Sequence, residues 1–351
     1  MGIIYGIIFH FIGGFASGSF YMPYKKVKGW AWESYWIIGG LFSWLIIPPL
    51  AAWLTIPGFS DIIRNIPFEV IRWTLFFGLL WGIGGLTYGL GVRYLGMSLG
   101  NSVILGCCAT LGSLVPSIYY NFFPKAGKTT FHDLISTSRG RIVLTGVGLC
   151  LIGIFICGRA GMMKEKELTE AEKKKNVSEF NLAKGIFVAI ISGILSACFN
   201  FGIEAGKPMS EALVKAGMSP LFQNNVIYVV LLWGGLTTNL VWCMILNARN
   251  KTFHDYVNRK TPIVKNYIFS ALAGTTWFLQ FFFYGMGESK LGNGASSWIL
   301  HMAFIILVAN MWGIVLKEWK GVSKKTKGAI SLGIFTIIVS VFVVGYGNSL
   351  K

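Results

Sequence analysis

Charged side chains are scarce in this chain. Asp and Glu number 14 in 351 residues, and charged residues of all types make up 13%. A soluble domain carries roughly 25%, so the chain cannot cover itself with a water-facing surface. Histidine occurs only four times. The six cysteines (Cys107, Cys108, Cys150, Cys157, Cys198 and Cys243) all fall within apolar runs. They show neither metal-ligand spacing nor a secreted disulfide pattern, and they read as small packing residues. There is no Walker A motif, no dinucleotide fingerprint and no H-E-x-x-H, which sets aside ATP-driven transport and zinc hydrolysis by this chain. Gly96-Met97-Ser98-Leu99-Gly100 has the G-x-S-x-G spacing but lies in a turn between apolar runs, not at a strand–turn–helix junction. No basic segment precedes the first apolar run, which starts at Gly2, so a classical signal peptide is not expected.

Apolar sequence, by contrast, is abundant. Hydrophobic residues reach 54%, and mean hydropathy is +0.61. Ten apolar runs stand out, at 2–21, 33–54, 73–92, 98–120, 141–158, 184–204, 221–246, 266–286, 295–316 and 328–347. Each is close to the ~20 residues of a helical membrane span, and none alternates as barrel strands do. The expected fold is therefore an all-α integral membrane protein with ten transmembrane helices. The net charge of +17 is spread in short clusters between the runs, so nucleic acid is not an expected partner. Lys and Arg favour the loops after spans 1, 3, 5, 7 and 9 by roughly two to one, which predicts that these loops are cytoplasmic and both termini outside. Residues 159–183 mix both signs and form a charged linker between two sets of five spans, 1–158 and 184–351.

The two sets resemble each other. Trp81-x6-Tyr88-Gly89-x-Gly91-x3-Leu95-Gly96 recurs as Trp277-x6-Tyr284-Gly285-x-Gly287-x3-Leu291-Gly292. Gly6, Ile12, Gly14 and Ser17 match Gly185, Ile191, Gly193 and Ser196. A repeat with an odd number of spans must insert upside down relative to its copy. Inverted five-helix repeats are a signature of secondary transporters, which bind substrate near the midplane between the repeats.

Ionisable groups inside a membrane are costly and mark function. Only His10 and His301 lie within spans, while Glu33, Glu204 and Glu288 fall near span ends. At ~1.5 Å per residue, His10, Trp81, Trp277, Gln280 and His301 share one layer ~9–13 Å below the outer face. Tryptophan and tyrosine rings stack on the apolar face of a sugar, and Gln and His exchange hydrogen bonds with its hydroxyls. Tyr21, Tyr88, Tyr284 and Trp298 extend the candidate sugar contacts. Histidine titrates near physiological pH, so His10 and His301 are the candidate proton-coupling groups. No metal site and no cofactor are expected, with H+ as the coupling ion.

Motifs along nearly the whole chain resemble the L-rhamnose–proton symporter family of the drug/metabolite transporter superfamily. They include Phe9-His10-x-Ile12-Gly13, Phe20-Tyr21-x-Pro23-x-Lys25-Lys26-Val27-Lys28 and Arg93-Tyr94-Leu95-Gly96-Met97-Ser98. In the second half they include Lys207-Pro208-Met209, Gln280-Phe281-Phe282-Phe283-Tyr284, Ser297-Trp298-x-Leu300-His301-Met302 and Val315-Leu316-Lys317-Glu318-Trp319. The resemblance implies a multi-pass protein of the bacterial inner membrane that takes up L-rhamnose, or a related sugar, together with a proton. It implies no obligate protein partner. The segment 287–296 departs from the family pattern, which leaves the exact sugar open.

Overall fold

The computed structural model describes residues 2–125, 127–167, 182–315 and 319–350. The centre of the linker with Asn176-Val177-Ser178, the motif residues Leu316-Lys317-Glu318, and the side chains of Arg93 and residues 96–99 lie outside the described residues. Among the described residues the secondary structure is helical, with no strand. The helices are α1 (Gly2–Ser19), α2 (Tyr21–Tyr24), α3 (Trp32–Gly40), α4 (Ile47–Thr55), α5 (Phe59–Asn65), α6 (Phe68–Phe122), α7 (Phe131–Ser136) and α8 (Ser138–Glu167). They continue with α9 (Leu182–Lys215), α10 (Asn225–Asn250), α11 (Ile263–Leu291), α12 (Gly294–Val315) and α13 (Lys324–Ser349). A π-helical turn, Leu41–Ile46, joins α3 to α4 within one span.

Nine stretches among the described residues are long and apolar enough to cross a membrane. The remaining expected span, 266–286, lies in α11, which at 29 residues is long enough but less apolar than the other nine. It packs against α1, α2, α3 and α12, so its Asn266, Ser270 and Gln280 are buried against protein rather than lipid. Large apolar side chains such as Trp53, Phe68, Phe155, Phe187, Phe335 and Phe342 are exposed on the outside of the bundle, as a lipid-facing surface requires.

Helix α6 is one helical range, yet it doubles back on itself. Its first half runs antiparallel to α9, with Gly84 against Ser196 and Leu95 against Gly185. Its second half runs parallel to α9, with Cys107 against Gly193 and the Gly112 carbonyl accepting from Asn200 Nδ2 at 2.7 Å. Tyr88 Oη also donates to Asn101 Oδ1 at 2.8 Å, across a separation that a straight helix would stretch to ~20 Å. The turn expected between spans 3 and 4 therefore lies within the range of α6, between Tyr88 and Asn101.

Residues that match in the two sequence repeats make matching contacts. Gly6 packs on Leu291, and Gly185 on Leu95. Gly287 packs on His10, and Gly91 on Ala189. Gly13 faces the Gln280 carbonyl, while Ser192 Oγ donates to the Gly84 carbonyl at 2.9 Å. A methyl group at Gly274 would lie 2.0 Å from the Gly39 oxygen, and one at Gly78 would lie 2.1 Å from the Leu231 oxygen.

The two ends of the bundle differ. Near the start of α11, the segments 25–34 and 247–266 are laced together. Asn266 exchanges two hydrogen bonds with the Lys28 backbone at 2.8 and 3.0 Å. Asp255 accepts from Ala31 N and Ser34 Oγ, both at 2.8 Å. Glu33 accepts from Asn250 and Thr252, both at 2.9 Å. At the distal tip of α8, Glu167 accepts from Ser323 and Thr326, and these hydrogen bonds hold its carboxyl below the usual range.

The close contact at Gly274 yields a stability prediction. Gly274→Ala must displace helix backbone rather than a side-chain tip and is expected to destabilise by at least ~1–3 kcal/mol. At Gly85 an added methyl meets nothing within 4 Å, so Gly85→Ala should leave stability unchanged or slightly raised. Thermal unfolding of the purified variants in detergent checks both.

Candidate functional site

The two membrane histidines meet. His10 of α1 and His301 of α12 are 0% and 1% exposed. Their ring centroids lie 6.2 Å apart, and Tyr284 of α11 stands 5.3 Å from each. The sequence allows this approach because Gly287 faces the His10 ring and Gly13 faces His301 Cε1. None of the four ring nitrogens has a hydrogen-bond partner among the described residues. A buried polar atom left unpaired costs about 1–3 kcal/mol, so the packing around the pair must offset that cost. Trp298, one turn before His301, packs edge-on to Tyr284 at 6.0 Å and donates through Nε1 to the Cys108 carbonyl at 3.1 Å.

An aromatic column continues from this pair. Phe281 links His301, at 6.1 Å, to Trp277, at 5.1 Å. Trp277 and Trp81, matching residues of the two repeats, lie 5.5 Å apart. Trp44, in the π-helical turn, caps both at 5.9 and 6.1 Å. π-Helical turns inside longer helices are frequent at functional sites, and here the turn delivers a third indole to Trp81 and Trp277. Gln280 is buried beside them, with Nε2 donating to the Trp277 carbonyl at 2.9 Å.

Of the expected layer, the structure therefore brings together His10, His301, Tyr284, Trp298, Trp81, Trp277 and Gln280. It does not bring in Tyr88 or Tyr21. Tyr88 bonds Asn101 and packs on the cluster of Leu95, Ile104 and Ala189. Tyr21 is 42% exposed near the far end of the first span, against Phe20 and Tyr24.

An open, polar cleft of about 320 Å³ adjoins the histidine layer at the Glu288 end. Its walls include Tyr120, Lys128, Asn200, Glu204, Lys207 and Glu288. Lys207 Nζ donates to Glu288 Oε2 at 2.9 Å, and Asn224 Nδ2 donates to the same oxygen. Lys128 Nζ and Tyr120 Oη donate to Glu204 Oε2 at 2.7 and 2.9 Å. Asn200 joins cleft to layer, since its Oδ1 accepts from Tyr284 Oη at 3.4 Å. A larger cavity of about 760 Å³, lined by Ile4, Ile8, Phe11 and Phe342 among others, is an apolar groove on the lipid side.

The ion pairs and Trp44 were not singled out in the sequence. Each pair joins residues far apart in the chain, 81 residues for Lys207–Glu288 and 76 for Lys128–Glu204. Lys207-Pro208 reads as the end of span 6, whereas α9 runs through Pro208 to Lys215. One signal was available: both carboxylates sit at span ends, where an acidic residue without a partner is expensive.

The chain matches the family model described as L-rhamnose-proton symport protein (RhaT) over residues 1–350. It is 39% identical over 351 residues to the L-rhamnose-proton symporter of Yersinia pestis strain Pestoides F, covering 98% of each chain. It is 38% identical over 350 residues to the L-rhamnose-proton symporter of Citrobacter koseri, again over 98% of each. These relatives are transporters rather than enzymes. With a match from end to end, this multi-pass membrane protein belongs to the L-rhamnose–proton symporter family.

Proposed function

We propose that this protein is a secondary active transporter that imports L-rhamnose, a neutral 6-deoxyhexose, together with a proton by alternating access. The observation that carries the coupling is the buried histidine pair with four unpartnered ring nitrogens, joined to a polar cleft through Tyr284 and Asn200. Two imidazolium charges 6.2 Å apart would repel by ~3 kcal/mol at an effective dielectric of about 20. The pair therefore works as one proton site. Protonation supplies a donor toward sugar hydroxyls, so proton and sugar each favour the binding of the other. The indoles of Trp81 and Trp277, with Tyr284 and Trp298, provide apolar faces for the sugar ring, and Gln280 provides a hydrogen-bonding edge. Tyr21 and Tyr88 are at most indirect contributors in this conformation. No cofactor takes part, and the partners are the sugar, the proton and the bilayer.

The fold reading beneath this function is ten membrane helices in two inverted five-helix repeats, 1–158 and 184–351, joined by the charged linker 159–183. The recurrence of equivalent contacts supports it: Gly6–Leu291 with Gly185–Leu95, and Gly274–Gly39 with Gly78–Leu231. The proposed location is the bacterial inner membrane with both termini periplasmic, which puts the cleft at the outer end and the Asp255 network at the cytoplasmic end.

Adding L-rhamnose to weakly buffered, de-energised cells expressing the protein should alkalinise the medium, whereas D-glucose should not. His10→Ala should abolish the pH change while sugar exchange persists. Loss of neither, or of both together, would remove His10 from the coupling role. For the orientation, a cysteine appended to the C-terminus of a variant lacking the six native cysteines should react with a membrane-impermeant maleimide added outside. Protection until the membrane is permeabilised would invert the topology.

A further inference from the structure

The polar cleft holds two carboxylate oxygens that the protein leaves free. Glu288 is 5% exposed and sits in the last turn of α11. Its Oε2 takes Lys207 and Asn224, and its Oε1 receives no hydrogen bond among the described residues. Glu204 repeats the pattern: Oε2 takes Lys128 and Tyr120, and Oε1 receives nothing. Both free oxygens face the same gap. A methyl group at Gly294, the first residue of α12, would lie 3.3 Å from Glu204 Oε1 and 3.6 Å from Glu288 Oε1.

The chemistry of the gap selects its ligand. An ionised carboxylate only accepts hydrogen bonds, so both oxygens call for donors. Lys128 and Lys207 balance the two charges, which leaves no net charge to hold an ion. At the rim, the pair Lys125–Glu211, 3.5 Å apart and about half exposed, is balanced as well. A neutral ligand rich in hydroxyls meets both conditions. Its hydroxyl oxygens can in turn accept from Asn200, Gln223 and Asn293, which line the same cleft. The volume of about 320 Å³ falls within the ~300–1,000 Å³ of small-molecule sites.

We propose that this cleft is an outer sugar-binding site, in which a neutral hexose docks by donating hydroxyls to Oε1 of Glu204 and of Glu288. The inference rests on the sugar transport proposed above and adds to it a site distinct from the histidine layer. From there the path inward is short. Asn200 belongs to the cleft and bonds Tyr284, whose ring borders both histidines. The sugar is stripped of water between the carboxylates before it reaches the aromatic column.

Equilibrium binding of labelled L-rhamnose to the purified full chain in lipid nanodiscs tests the site. Gly294→Ala is the informative variant, because its methyl fills the gap against the two Oε1 atoms and leaves the Oε2 atoms that take Lys128 and Lys207 in place. Glu204→Gln and Glu288→Gln remove the charge of one acceptor each. Melting curves and gel filtration establish that each variant is folded. Hydrogen bonds to charged groups set the scale, and each variant should weaken binding by roughly ten-fold or more. Gly294→Ala should raise the KM of sugar exchange while keeping its maximal rate. If wild type binds the sugar and folded Gly294→Ala and Glu204→Gln bind it equally well, the cleft is only a cluster of structural ion pairs, and the proposed transport stands. If wild type neither binds nor transports L-rhamnose, the proposed function and the outer site both fall.

Discussion

At Gly274 and Gly78 there is no room for a methyl group, because the oxygens of Gly39 and Leu231 occupy the space. Lipid tails are as apolar as leucine, so helices in a bilayer gain little from burying apolar surface against each other. Close backbone packing must supply the association instead. The glycine contacts of this bundle do that, and they fix where everything else lies. The Gly39–Gly274 contact holds α3 against α11 and so positions the π-helical turn. Trp44 on that turn then reaches Trp81 and Trp277. Gly13 and Gly287 leave space for two imidazoles to approach beside Tyr284. Bulk at any of these glycines would separate groups that the site needs together.

The same packing makes an asymmetry visible. Wherever the two halves match in shape, their chemistry differs at the centre. Gly287 covers His10, whereas Gly91 covers Ala189. Tyr284 stands between two histidines, whereas Tyr88 packs on the cluster of Leu95, Ile104 and Ala189. The contact around Tyr284 therefore joins one histidine from each half, and the equivalent contact around Tyr88 holds none. A symmetric pair of sites would give a proton two equivalent resting places. In the proposed transport, a single histidine layer draws proton and sugar to the same place. That is what linkage between them requires.

Much of this was legible in the sequence, for identifiable reasons. Apolar runs near twenty residues mark the spans, because the bilayer imposes that length. α11 falls below the other nine in hydropathy because it carries Asn266, Ser270 and Gln280, all buried, among its apolar residues. The histidines were found because an ionisable group in a span is rare, and Trp81 and Trp277 because each repeat carries one in the same motif. Trp44 was not found, since its span shows no such match and a π-helical turn leaves no composition signal. The pairing of Lys207 with Glu288 is a tertiary fact about residues 81 positions apart. Tyr88 reads in the sequence as a further candidate sugar contact, but it stands equivalent to Tyr284 in the repeat and packs instead on Leu95, Ile104 and Ala189.

The two ends of the bundle also differ in the kind of bond that holds them, and this bears on exchange between conformations. The Glu288 end is open, and its charges are already paired across the cleft wall. The other end is shut by hydrogen bonds from Asp255, Asn266 and Glu33 to the segment 25–34. These bonds lie beyond the apolar core, where water can take over each partner. A typical hydrogen bond then contributes only about 0.5–1.5 kcal/mol net, so a handful of them holds a closed end without making it permanent. In the matching position at the opposite end, α5 packs on α9 largely through apolar side chains, Phe59, Ile62 and Ile63 among them. Alternating access needs two states separated by a few kcal/mol, so that a ligand's differential affinity can reverse their populations. In the proposed cycle, a lock of replaceable hydrogen bonds opposite an apolar contact suits a gap of that size, and the bound proton and sugar decide which end opens.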